Sequence, residues 1–275
     1  MPSKNEVFKP KIGVFSLTGC AGDQLMILNL EDVLLDLFSR VDIKSFQEAS
    51  SYYEDTDLDI AFIEGSVSSK HDIEKLKEIR SKSKIIVAIG DCAVNGCVQA
   101  MRNKQTSITE RMRDVYGVED NLYQAVEAKG LGDYVKVDYE VPGCPIEKEE
   151  ILRVVASLLH GDAPIIIDYP VCVECKLNGY PCVIIEEGKP CLGPIINTGC
   201  DARCPGLGLD CVGCRGPIKG ETNAQGELEA LKKRGYDESY IINRLRFFGG
   251  NFEDIEKLTI KILGKKSEIE ADSNE

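Results

Sequence analysis

The sequence has no tryptophan and only two histidines, His71 and His160. Both fall at polar or terminal positions of expected helices, which argues against a histidine-based active site. No apolar run approaches the ~18 residues that a membrane-spanning helix needs, so no membrane insertion is expected. The opening stretch, MPSKNEVFKPKIGVFSL, lacks an apolar signal core, twin arginines and a small-residue cleavage site. That predicts a cytoplasmic, reducing setting. Positive charge is in deficit: 33 Lys and Arg face 46 Asp and Glu, a net charge of −13. Nucleic acid and anionic membrane are therefore poor candidates for the main partner. A Walker-type phosphate loop is absent, and Gly206-x-Gly208 has no strand before it, so no dinucleotide fingerprint is present.

What the chain does have is cysteine, 12 in all. In a reducing compartment disulfides explain them poorly, and metal ligation or redox chemistry explains them better. Buried structural thiols would account for two or three but not for the spacing. Cys20, Cys92, Cys97 and Cys144 are far apart, whereas Cys172, Cys175, Cys182, Cys191, Cys200, Cys204, Cys211 and Cys214 are crowded together. This shift places a boundary near Asp162–Asp168, giving parts 1–163 and 164–275.

The first part alternates strand and helix patterns. Lys11–Leu17, Leu58–Ile63, Lys84–Ile89 and Tyr134–Tyr139 read as strands, the first as a short apolar run suited to a buried parallel sheet. Gly22–Arg40, His71–Ser81 and Ile146–His160 read as helices, the last with Ile151, Val154, Val155, Leu158 and Leu159 on one stripe. The alternation predicts an α/β doubly wound parallel sheet. From Cys172 to Pro217 the chain is rich in Gly and Pro, with little periodicity. Such a segment buries too little apolar surface to fold unaided, and bound metal would supply stabilisation. Helices Glu227–Arg234, Asp237–Phe248 and Phe252–Leu263 are expected to follow, with a frayed tail at Lys265–Glu275.

In an open parallel sheet, ligands bind beyond the carboxyl ends of the strands. Cys20, Cys92 and Cys144 each follow a strand and should converge there. Glu64 also ends a strand at this edge, where an ordinary loop or helix-start carboxylate is the plainer reading. Thiolates gathered at one site suit zinc or an iron–sulfur cluster. A cubane needs a fourth ligand, and there are two candidates. Asp23 stands where a C-x-x-C pair beginning at Cys20 would place its second cysteine. Cys97 stands five residues after Cys92.

The later eight cysteines open with Cys172-x-x-Cys175 and close with Cys211-x-x-Cys214, so two four-thiolate sites are the natural count. Four-cysteine zinc sites use the same pairs, and a zinc-stabilised interaction module is the competing reading. The bacterial ferredoxin run of four cysteines is absent. The strand-edge set favours an electron relay.

At these motifs the chain resembles the small subunits of nickel–iron hydrogenases. The likeness is greatest to the cytoplasmic bidirectional group, notably sulfhydrogenase delta subunits, and looser to the gamma subunits of deazaflavin-reducing hydrogenases. It runs from about Lys11 to Gly216. It is carried by Leu17-Thr18-Gly19-Cys20, Ala61-Phe62-Ile63-Glu64-Gly65-Ser66-Val67, Gly90-Asp91-Cys92-Ala93, Gly143-Cys144-Pro145, Pro190-Cys191-Leu192-Gly193-Pro194 and, most specifically, Asp168-Tyr169-Pro170-Val171-Cys172-Val173-Glu174-Cys175.

The resemblance implies a flavodoxin-like domain carrying a proximal cluster, then a loop-rich iron–sulfur domain with C-terminal helices. It implies three four-iron (4Fe–4S) clusters. Cys20, Asp23, Cys92 and Cys144 would hold the proximal one, with Cys97 the alternative to Asp23. Cys200, Cys204, Cys211 and Cys214 would hold the medial one, and Cys172, Cys175, Cys182 and Cys191 the distal one. Periplasmic relatives have His where Cys172 stands and lack the thiolate that Cys204 supplies, so a four-iron medial cluster is expected here. The family normally has Cys where Asp23 stands, although some deazaflavin-reducing relatives use Asp, and usually has Gly where Cys97 stands. The implied partners are a hydrogenase large subunit holding the nickel–iron centre and a reductase, diaphorase or other electron-acceptor subunit. The implied role is a relay between them. A relay serving a non-hydrogenase catalytic partner is the remaining alternative.

Overall fold

The computed structural model describes residues 8–121, 123–219 and 224–251. The first part runs β1 (Lys11–Ser16), α1 (Gly22–Leu28), α2 (Glu31–Ser39), β2 (Asp42–Phe46), β3 (Leu58–Glu64), β4 (Val67–Ser69), α3 (Lys70–Lys82), β5 (Ser83–Ile89), α4 (Gly90–Asn95), α5 (Ile108–Tyr116), β6 (Ala125–Lys129), β7 (Tyr139–Val141) and α6 (Lys148–His160). Five strands form one sheet in the order β2-β1-β3-β5-β7, with every pairing parallel. Counting sheet strands alone along the chain, this is order 2-1-3-4-5, the flavodoxin-like arrangement. β4 and β6 form a separate antiparallel ribbon.

The apolar runs become strands because both faces of the sheet are covered. Side chains alternate along a strand. Ile60, Phe62, Val87 and Ile89 therefore join one core with Ile27, Ile151, Val154 and Val155. Ala61, Ile63, Ile86 and Ala88 join the other, with Leu76, Ile79 and Ala93.

Two expected elements differ. The single helix Gly22–Arg40 is two helices, broken at Asn29–Leu30. Asn29 N–H closes α1 and Leu30 turns into the core, 5% exposed. The strand expected over Tyr134–Tyr139 begins only at Tyr139. Pairing to β5 starts at Asp138, whose N–H donates to Ile86 O at 3.0 Å while its carboxylate accepts from Ile86 N at 2.9 Å.

The second part holds α7 (Val171–Leu177), α8 (Val183–Glu187), α9 (Arg203–Gly206), α10 (Ala224–Lys233) and α11 (Glu238–Gly249). It packs its own core around Val171, Leu192, Ile195, Leu231, Ile241 and Leu245. The helices expected at Glu227–Arg234 and Asp237–Phe248 correspond to α10 and α11. Asp237 is the N-cap of α11, its carboxylate accepting from Tyr240 N. The expected helix Phe252–Leu263 and tail Lys265–Glu275 lie outside the described residues. α11 returns to the first part: Arg246 donates to Asn103 O, and Asn251 donates to Asn95 O and Ala128 O. Among the described residues no helix is long and apolar enough to cross a membrane.

Candidate electron-relay site

The carboxyl edge of the sheet is built by loops that are tied to one another. Thr18, after β1, exchanges both backbone hydrogen bonds with Ser66, after β3. Gly65 between them has φ +91°, and a Cβ there would lie 2.9 Å from the Leu17 carbonyl carbon, so glycine is required. The Gln99 amide donates to Thr18 O at 3.2 Å and accepts from the Cys92 thiol at 3.4 Å, tying the β5 loop to the β1 loop.

Cys20 is exposed just past β1, Cys92 lies on α4 just past β5, and Cys144 is exposed just past β7. Each of the three therefore stands just past the end of a sheet strand. Cys97 joins them: fully buried, it packs with Cys92 and lies beside Cys144. These neighbouring sulfurs push the Cys97 thiol far above the ordinary thiol range, while Cys97 pulls Cys144 down. The backbone at Cys97 has φ +47°, a left-handed conformation unusual for a residue with a side chain.

Asp23 lies on α1, 5% exposed. Its Oδ1 accepts from Ile146 N at 2.8 Å. Its carboxyl presses on Gly90, where a Cβ would stand 1.8 Å from Oδ2. Burial pushes the acid up to about 7 against the Ile146 bond, and the charges of Glu64 and Cys144 push the same way. Glu64 is buried at the end of β3 and accepts from Gln24 N at 3.2 Å; burial raises it too.

Among the eight later thiols, Cys172 has Cys175, Cys182 and Cys191 as neighbours. Cys172 and Cys175 lie on α7, Cys182 caps α8, and Cys191 lies in the following loop. A Cβ on Gly193 would meet Cys172 Sγ at 3.4 Å and Cys191 Sγ at 3.5 Å, so both sulfurs face one point. Burial pushes Cys172 up to about 12, helped by Cys191, Cys175 and Cys182. Cys204 sits on α9, Cys200 and Cys204 lie near Cys214, and Cys211 lies near Cys191, Cys214 and Cys200. Burial pushes Cys214 up to about 12, helped by Cys200 and Cys204.

The later thiols adjoin the strand edge and one another. Cys214 packs against Cys92, Cys97 and Phe248 at the strand edge. At the far side, Cys211 N donates to Cys191 Sγ at 3.2 Å. Thiols that are half-buried together resist ionising together, because each thiolate raises its neighbours. A cation-rich group that takes several thiolates removes that penalty, so these residues fit an iron–sulfur cluster. Among the described residues, no three His, Cys, Asp or Glu side chains close on a point as they would around one ion.

Residues 20–158 match the family described as NADH ubiquinone oxidoreductase, 20 Kd subunit. Sulfhydrogenase 2 subunit delta of Pyrococcus furiosus is 42% identical over 238 residues, spanning 86% of this chain and 98% of its own. The vhu F420-non-reducing hydrogenase of Methanocaldococcus jannaschii has a subunit that is 31% identical over 236 residues, spanning 75% of this chain and 81% of its own. A subunit chain in the crystal structure of an NAD+-reducing NiFe hydrogenase in the H2-reduced state superposes with a TM-score of 0.53 and 30% identity, over 58% of this chain and 96% of that one.

The chain belongs to this family of hydrogenase and oxidoreductase subunits.

It is a subunit of a hydrogenase complex. The matched stretch, residues 20–158, contains Cys20, Asp23, Cys92, Cys97 and Cys144 and ends before the later eight cysteines. The alignment with the sulfhydrogenase subunit is long enough to extend well beyond residue 163. Sequence reasoning gave no role to Asp91, a fully buried acid that Asn95 contacts at 2.6 Å, or to Arg215, next to Cys214. Neither has a spacing signal; only adjacency to a candidate ligand marks them.

Proposed function

We propose that this subunit relays electrons between a nickel–iron centre on a partner large subunit and a partner reductase or other acceptor subunit. Three four-iron clusters would be held here, and when bound they supply one-electron steps. The observation that carries the reading is the adjacency of the thiols. The strand-edge set neighbours Cys200, Cys204, Cys211 and Cys214, which in turn neighbour Cys172, Cys175, Cys182 and Cys191. The proximal cluster then falls to the part spanning 1–163 and the medial and distal clusters to the part spanning 164–275.

Within the proximal set we assign Cys20, Asp23, Cys92 and Cys144 as ligands. Asp23 stands three residues after Cys20, where a C-x-x-C pair would place its second ligand. Asp23 is held at the same edge by a backbone N–H and by the space that Gly90 leaves.

The chain alone should not turn over hydrogen, because its assigned ligands leave only Cys97 for a further metal. The test is dye-linked hydrogen oxidation by the separated subunit and by the reconstituted pair. The reading predicts activity only with the large subunit. Turnover by the separated subunit would contradict it.

A further inference from the structure

Arg215 is 2% exposed, among the most buried charged residues described. Its Nε donates to Thr198 O, and its Nη2 donates to both oxygens of Glu150 on α6, at 2.9 and 2.8 Å. Nη1 is buried and has no hydrogen-bond partner. A guanidinium carries five N–H donors, and leaving two of them dry and unpaired is costly. The fold nevertheless makes room for the group. Gly199 has φ +111°, and a Cβ there would lie 2.4 Å from Arg215 Nη2. The glycine that seats the guanidinium immediately precedes Cys200, and Arg215 itself immediately follows Cys214.

We infer that the free Nη1 of Arg215 donates to a sulfur of the cluster held by Cys200, Cys204, Cys211 and Cys214, and that its charge raises the reduction potential of that cluster. The inference rests on the four-thiolate reading above. A reduced cluster carries one more negative charge than an oxidised one, so a nearby buried cation and its hydrogen bonds favour reduction. Glu150, on α6, holds Nη2 and offsets part of this charge. The guanidinium itself packs against Gly199, the residue before Cys200, and follows Cys214 in the chain, so the cation lies beside the site.

The plainer role for Arg215 is a clamp that joins α6 to the cysteine loop. The two roles separate in an EPR-monitored redox titration of the hydrogenase complex, with iron counted on the same samples. Arg215→Gln should shift the medial potential downward at full iron content. Arg215→Lys should shift it less, because the charge remains while the fork of donors is lost. Glu150→Gln should shift it upward, because the guanidinium is no longer offset. A clamp predicts lower stability for both the Arg215→Gln and Glu150→Gln variants and no opposed shifts. Full iron with unshifted or same-sign potentials overturns the inference, as does equal loss of the medial iron from both. A wild-type complex without iron would overturn the four-thiolate reading, and this inference with it.

Discussion

Asp23 and Cys97 flank the same strand-end site, and the backbone treats them differently. Asp23 lies in the first turn of α1, where a carboxylate is favoured in any case. Cys97 sits at φ +47°, a conformation that costs a non-glycine residue about 1 kcal/mol or more. Asp23→Cys should keep the full iron count and shift the proximal potential, since a thiolate is a softer ligand than a carboxylate. Cys97→Gly should relieve the backbone and leave iron content and hydrogenase rate nearly unchanged. Iron analysis with redox titration checks both. Loss of proximal iron from Cys97→Gly but not from Asp23→Ala would make Cys97 the ligand. The cysteines were legible in the sequence because ligation leaves a spacing pattern. Arg215 was not, because a buried cation among loop glycines has no period, and its meaning comes from Glu150, distant in the chain.

At the scale of elements, legibility followed burial. β3 and β5 are covered on both faces, so their sequences are apolar over residues 60–63 and 85–89. β2, Asp-Ile-Lys-Ser-Phe, lies at the sheet edge and mixes polar with apolar residues, so no run marks it. α5 was missed, yet Ser107 and Glu110 form a capping box at its start and Gly117 ends it. α7, α8 and α9 are too short for helical periodicity to show.

Two element-scale changes test what holds the sheet. Ser69 and Asp72 form the capping box of α3, so Ser69→Ala should cost about 1 kcal/mol without loss of iron, measured as a lower denaturation midpoint. Asp138 ties β5 and β7 to Arg80, at 2.8 Å. Burial alone would raise this acid, but the Ile86 N–H, Lys136 and Arg80 outweigh it and hold it below the usual carboxylate range. A lowered folded value means the stabilisation is present above the unfolded value of ~3.9 and is lost as pH falls through the folded one. Asp138→Asn should therefore lower the melting temperature at pH 7, by about 2 kcal/mol in free energy. The gap to wild type should narrow below ~pH 4. A gap independent of pH would remove Asp138 ionisation from the account.

For the whole molecule, the parallel sheet sets where the first thiols stand, and a largely aperiodic segment packs the remaining eight beside them. That segment includes a small apolar core and three short helices. Bound clusters would add to its stability, because metal binding to the native state is folding energy. Metal and sulfide analysis of the anaerobically prepared protein tests this account most directly. Three four-iron clusters predict about 12 iron and 12 acid-labile sulfide per chain, with little zinc. Stoichiometric zinc with little iron would contradict it.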